Sequence, residues 1–149
     1  MPDPLPRIAA VDHGTRRVGL AVTDPFRLFA QPLGTFSPAE AVAELQALHA
    51  HHPLAAIVVG WPLTEMGEEG VATRRVTPYI GRLRNALPGV PVVTQDERYT
   101  SRRAVDALVE AGVRQGARRR AKQTGRLDAA AAALILQDFL DEGYLPDDR

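Results

Sequence analysis

The stretch Arg7-Ile-Ala-Ala-Val-Asp-His-Gly-Thr-Arg-Arg-Val-Gly-Leu-Ala-Val-Thr-Asp24 holds the reading that decides the fold. Two apolar runs, residues 7–12 and 18–24, have the composition of strands, and the polar His13-Gly-Thr-Arg-Arg17 between them supplies a turn. Gly14 is expected to take a positive φ there, which glycine does without steric cost. Residues 28–36 form a weaker third strand, placed at a sheet edge because Pro32 cannot donate to a ladder. Three strands in succession predict an antiparallel meander.

Downstream the pattern changes. Ser37-Pro-Ala-Glu40 has the form of a capping box with proline at the first helical position, and Val42, Leu45 and Leu48 follow at helical spacing to about His51. Ala55-Ala-Ile-Val-Val-Gly60 is the continuous apolar run of a strand buried on both faces, ended by Trp61-Pro62-Leu63. Val76, Tyr79, Ile80, Leu83 and Leu87 mark one face of a second helix, closed by Pro88-Gly89. A fifth strand follows at 91–95. Thr100 can cap a helix with Ala104, Val105, Leu108 and Val109 on its apolar face, ending at Gly112. Residues 113–125 lack apolar periodicity and read as a loop or hairpin, and the last helix is expected from Leu127 to about Glu142. The order β-β-β-α-β-α-β-α-α predicts an α/β protein: a five-stranded mixed sheet with helices on both faces, the order of the ribonuclease H-like fold.

A chain of 149 residues with no cysteine matches one domain without disulfides or thiolate metal sites, with residues 143–149 as an acidic tail. No signal pattern or membrane-length apolar stretch occurs, so a cytoplasmic protein with no membrane partner is expected. The net charge of zero argues against a nucleic-acid partner only if charge is evenly spread, and it is not. Between Arg98 and Arg126 stand nine basic residues, Arg98, Arg102, Arg103, Arg114, Arg118, Arg119, Arg120, Lys122 and Arg126, against Asp106 and Glu110. That segment carries +7. It reads either as a solvated face or as a phosphate-binding one.

Three acids stand where a buried core does not explain them. Asp12 ends an apolar strand, Glu97 follows one, and Asp128 lies in the first turn of the expected last helix. Such positions cluster at the ligand-binding edge of an α/β sheet. If they converge, two carboxylates at ~4 Å repel by about 4 kcal/mol at an effective dielectric near 20, which a bound cation relieves. Hard oxygen donors favour Mg2+ or Mn2+, and two such ions suit in-line phosphoryl displacement. Each acid also has a plain structural reading: a turn former for Asp12, a helix-dipole partner for Asp128, an ion pair with a neighbouring arginine for Glu97.

Four blocks together resemble one family. Val11-Asp-His-Gly-Thr-Arg-Arg-Val-Gly-Leu-Ala21, Val58-Val-Gly-Trp-Pro-Leu63, Asp96-Glu-Arg-Tyr-Thr100 and Leu127-Asp-Ala-Ala-Ala-Ala132 with Ile135-Leu-Gln137 are similar to the YqgF family, also called RuvX. The resemblance implies a ribonuclease H-like nuclease related to RuvC resolvases, with Asp12, Glu97 and Asp128 as catalytic metal ligands and Asp96, adjacent to Glu97, able to support or replace it. It implies as substrate either a four-way DNA junction or the 5′ end of pre-16S ribosomal RNA. A junction resolvase acts as a homodimer, because a two-fold junction needs two sites. The second block departs from the family pattern at Trp61, Thr64 and Met66, and Tyr99 replaces a leucine, so the contacts of loop 64–69 are not carried over. Trp61 and Tyr99 are candidates for base stacking, with core packing the alternative for Trp61. Two other readings stand beside the nuclease: a non-catalytic nucleic-acid-binding module, and an ATP-phosphate loop at Asp12-His-Gly-Thr15 like that of actin-like ATPases and sugar kinases, which pair two such domains.

Overall fold

In the computed structural model, residues 4–14, 16–64, 66–97 and 117–143 are described, with 117–127 described through their backbone. The first strand pair forms as its two apolar runs and polar turn predict: β1 (Arg7–His13) runs antiparallel to β2 (Val18–Thr23), with Asp12 opposite Gly19. β3 (Ala30–Phe36) continues the meander antiparallel to β2 and holds the sheet edge with Pro32. It starts two residues later than its apolar content predicts. The Asp24 carboxylate accepts from the N–H groups of Phe26, Leu28 and Phe29 at 3.1, 2.7 and 2.7 Å, and Arg27 takes φ 57°, so residues 24–29 are tied into a turn.

Helix α1 (Pro38–His51) opens with the expected capping box: Ser37 Oγ accepts from the Glu40 N–H at 3.1 Å, and Glu40 Oε1 accepts from the Ser37 N–H at 3.0 Å. It returns the chain to β4 (Leu54–Trp61), which lies parallel to β1; α2 (Val71–Ala86) then leads to β5 (Val92–Asp96), parallel to β4. The order across the sheet is β3-β2-β1-β4-β5. The helix expected from Thr100 lies outside the described residues. The last helix, α3 (Ala117–Glu142), ends as predicted but begins ten residues early, so the loop expected over 113–125 is corrected to helix from Ala117 onward. Periodicity reports which face is buried, not whether a helix forms. Ala117, Arg118, Ala121 and Lys122 are strong helix formers that extend a turn already anchored downstream.

The two sheet faces carry separate cores. Ala9, Val11, Val18, Leu20, Ile57 and Val59 pack under α1 and α2, with Leu45, Val76, Ile80 and Leu83. Ile8, Ala10, Ala21, Ala56 and Val58 alternate with them and pack under α3, against Ala132, Ile135, Leu136 and Phe139. Asp12 falls in register with Ile8 and Ala10, and Glu97 with Val93 and Gln95, so both belong to the α3 face at the carboxyl edge of the parallel strands. Among the described residues no helix is long and apolar enough to cross a membrane.

Candidate active site

Asp12 stands on β1 and Glu97 directly after β5, with β4 between them, and neighbouring strands are ~4.8 Å apart, so an obstacle on β4 would keep their side chains from meeting. The residue between them is Gly60. A Cβ there would stand 2.6 Å from Glu97 Oε2 and 2.7 Å from Ile135 Cδ1, so its absence lets Glu97 fold back across β4. The Glu97 carboxyl hydrogen-bonds Asp12. Gly19 does the same on the other flank. It is the Cα partner of Asp12, and a Cβ on it would overlap the backbone carbonyl of Asp128, so α3 settles directly on β2 and sets Asp128 beside Asp12. Two missing side chains, one on each neighbour of β1, thus admit the other two acids.

Burial and mutual repulsion make this a protonated pair. Glu97 is pushed up to about 9, first by burial, then by the Asp12 charge and hydrogen bond and by the charge of Asp96. Asp12 rises to about 6 through burial, against the opposing effect of the Glu97 hydrogen bond and with the Asp128 charge adding to it. Both shifts have the same meaning: one proton is shared where two negative charges cannot coexist. Asp128 is raised by burial and held back by Arg17, whose Nε lies 3.1 Å from Oδ2. Arg17 acts on Asp128 through its charge and a weak hydrogen bond; the contact is too poorly aligned to satisfy Oδ2, which is buried. Gly14, Arg16, Arg17 and Asp128 line a cleft of about 390 Å³.

Among the described residues no three histidine or acidic side chains form a finished metal cage. The donor chemistry nonetheless fits a hard divalent cation: a buried carboxyl pair held together by a proton that a cation can replace, and a facing carboxylate oxygen left without a good hydrogen bond. Asp96 does not substitute for Glu97; it is exposed, pairs with Trp61 in the ladder and acts on the site through its charge. His13, next in sequence to Asp12, turns to the opposite face and packs its ring 4.6 Å from that of Tyr79. Gly14 does not use a positive φ. Its N–H donates to the Arg17 carbonyl at 2.8 Å, where a Cβ would be equally close, so the turn needs a bare backbone rather than a left-handed one.

A family model described as RuvX, Holliday junction resolvase, matches residues 6–142. The chain belongs to the RuvX family. It is 56% identical over 135 residues to a Salinibacter ruber protein provisionally named pre-16S rRNA nuclease, covering 91% of this chain and 92% of the relative. A Chlorobaculum tepidum protein with the same provisional name is 41% identical, covering 91% and 93%. Among solved structures, Thermus thermophilus RuvC bound to a Holliday junction shares the fold at TM-score 0.52 and 16% identity, over 92% of this chain and 96% of that one. This RuvX chain is therefore a nuclease-family protein of the ribonuclease H-like fold.

Of the expected site residues, the structure joins Asp12 and Glu97 by a hydrogen bond and sets Asp128 near enough for its charge to act on Asp12. Arg98, Arg102, Arg103, Arg114 and Tyr99 lie outside the described residues, as do the side chains of Arg118, Arg119, Arg120, Lys122 and Arg126. Trp61 packs against the core under α1 and α2. The variant loop of this RuvX member is organised by Thr64, whose Oγ1 accepts from the Glu68 N–H at 3.1 Å and whose carbonyl accepts from the Gly67 N–H at 2.8 Å, with Gly67 at φ 79°. Sequence reasoning missed Gly19, Gly60 and Arg17. The signal for Arg17 was present, an arginine doublet in the turn directly after Asp12, but the larger basic segment drew the phosphate-binding assignment.

Proposed function

We propose that this protein is a Mg2+- or Mn2+-dependent endonuclease that hydrolyses phosphodiester bonds in structured nucleic acid. The reading is carried by one observation: Asp12 and Glu97, from separate chain segments, hydrogen-bond each other on the α3 face of the sheet, with Asp128 near enough for its charge to raise Asp12. Asp12, Glu97 and Asp128 would hold the ions. A divalent ion bound there supplies Lewis acidity at the scissile phosphate and an acidified water. The chain's own part is to fix the three carboxylates through Gly19 and Gly60, and to release the Asp12–Glu97 proton as cation charge replaces it. Apolar walls from Ile135 and the strand edges keep the dielectric low around the carboxylates.

The names of these relatives favour the 5′ end of pre-16S ribosomal RNA as substrate, and the family description favours a four-way DNA junction. Trimming an RNA end asks for one active site, whereas resolving a junction asks for a homodimer. The basic segment from Arg98 to Arg126 would contact phosphates without reading sequence. The test compares cleavage of precursor 16S RNA and of a mobile four-way junction in manganese, using wild type and Asp12→Asn, with oligomeric state measured alongside. Cleavage of one substrate by wild type alone is expected. Equal residual cleavage by both proteins would sink the assignment.

A further inference from the structure

We propose that Arg17 is a substrate-binding residue of this site, taking a non-bridging phosphate oxygen of the nucleic acid, with Asp128 as its resting partner until a divalent ion arrives. The assignment rests on the nuclease reading above. The geometry is not that of a structural clamp. A guanidinium built to lock a carboxylate uses two parallel, well-aligned N–H bonds, whereas the contact here, Arg17 Nε to Asp128 Oδ2 at 3.1 Å, is a poorly aligned one that leaves Oδ2 without a good hydrogen bond. The exposure is lopsided as well: the Arg17 side chain is 50% exposed, and that of Asp128 is 23%. The arginine therefore sits at the mouth of the cleft while the carboxylate sits at its base.

The side chain springs from a fixed point, because the Gly14 N–H bond to the Arg17 carbonyl closes the β1–β2 turn. The cleft beside it, about 390 Å³ and lined by Gly14, Arg16, Arg17 and Asp128, is large enough for a phosphodiester linkage with part of its sugar. Its lining supplies two guanidinium groups, donors suited to an anion, beside the Asp128 carboxylate. Without an ion, Asp128 needs a countercharge and Arg17 is the cation beside it. A divalent ion on the three carboxylates takes over that role and repels the guanidinium, which then requires an anion. The substrate phosphate arriving at the same edge provides one.

The test measures anisotropy of a fluorescein-labelled four-way junction and a labelled RNA hairpin across a salt series, in EDTA and in calcium, with strand integrity checked on gels. In calcium, Arg17→Gln should weaken both complexes about tenfold, as expected for one charge-assisted contact. It should also flatten the slope of log K against log salt by roughly 0.9 on the DNA probe, the increment of one phosphate contact. Arg17→Lys should keep the slope and lose part of the affinity, because an ammonium still pairs with phosphate as a point charge. In EDTA the Gln variant should match wild type. An unchanged slope in calcium, or the same weakening in EDTA as in calcium, would overturn the proposal. Calorimetry with manganese alone should show Arg17→Gln binding the ion at least as tightly as wild type; weaker binding would mean that Arg17 positions Asp128 for the ion and is not its resting partner. Failure of the nuclease reading shows separately, as wild type that leaves both probes uncut in manganese, and a phosphate contact at Arg17 would still register in the slope.

Discussion

Asp12 stands between two glycines on neighbouring strands, and the different obstacles behind them give different penalties. At Gly60 an added methyl meets the end of the Glu97 side chain and Ile135 Cδ1, which can shift by rotamer change; Gly60→Ala should cost about 1–3 kcal/mol. At Gly19 it meets the backbone of Asp128, so α3 itself must lift, and Gly19→Ala should cost more than its counterpart. Urea denaturation checks the ranking, and equal or negligible losses of stability would show that neither glycine controls the approach. The acids themselves predict a pH profile. Folding raises Glu97 from 4.5 to about 9 and Asp12 from 3.8 to about 6, burial being the first cause of each. An acid whose pKa rises on folding takes up protons on folding, so the stability present below pH ~4.5 declines as pH climbs through the folded values. In EDTA, Tm should fall between pH 5 and 9, Mg2+ should restore it most at the alkaline end, and Glu97→Gln should flatten the EDTA profile. A flat wild-type profile would refute the shared-proton account. The three acids were legible because each broke an apolar pattern; the glycines were not, since a missing side chain matters only once its neighbour across the sheet is known.

At the scale of elements, legibility followed the source of the signal. Helix α1 was readable to the residue because its start is encoded locally, in Ser37, Pro38 and Glu40. Ser37→Ala removes the Oγ that accepts from the Glu40 N–H and should cost about 0.5–2 kcal/mol by thermal or urea unfolding, with cleavage unaffected, since the cap lies on the face opposite the acids. Altered cleavage at unchanged stability would contradict that separation. The start of β3 was misread because Leu28 and Phe29 have strand composition, yet their N–H groups are taken by the Asp24 carboxylate before a ladder can form. The start of α3 was misread for the opposite reason. Its first turns follow helix propensity without an apolar stripe, and periodicity is silent about such a segment.

At the scale of the whole molecule, a net charge of zero conceals a separation along the chain that the helix α3 turns into geometry. Eleven residues, 117–127, precede Asp128 in the same helix, so the helical backbone runs about 16 Å ahead of the acid at 1.5 Å per residue. Arg118, Arg119, Arg120, Lys122 and Arg126 are strung along that length. If the scissile phosphate sits at the three carboxylates, as proposed above, these five residues are candidates to neutralise the phosphates neighbouring it. Such contacts position the substrate and carry no base information, which separates them from anything that distinguishes a junction from a ribosomal RNA end. The variant carrying Arg118→Gln, Arg119→Gln and Arg120→Gln should therefore weaken binding to a four-way junction and to precursor RNA by similar factors. Its slope of log K against log salt on DNA should flatten by roughly 0.9 for each phosphate that the protein no longer neutralises. The Mg2+-dependent gain in Tm should stay that of wild type, because Asp128 lies about two helical turns beyond the substituted residues and Asp12 and Glu97 stand on other elements. Weakening confined to one substrate would assign these arginines to recognition, and an unchanged slope would return them to the solvated face that their composition equally allows.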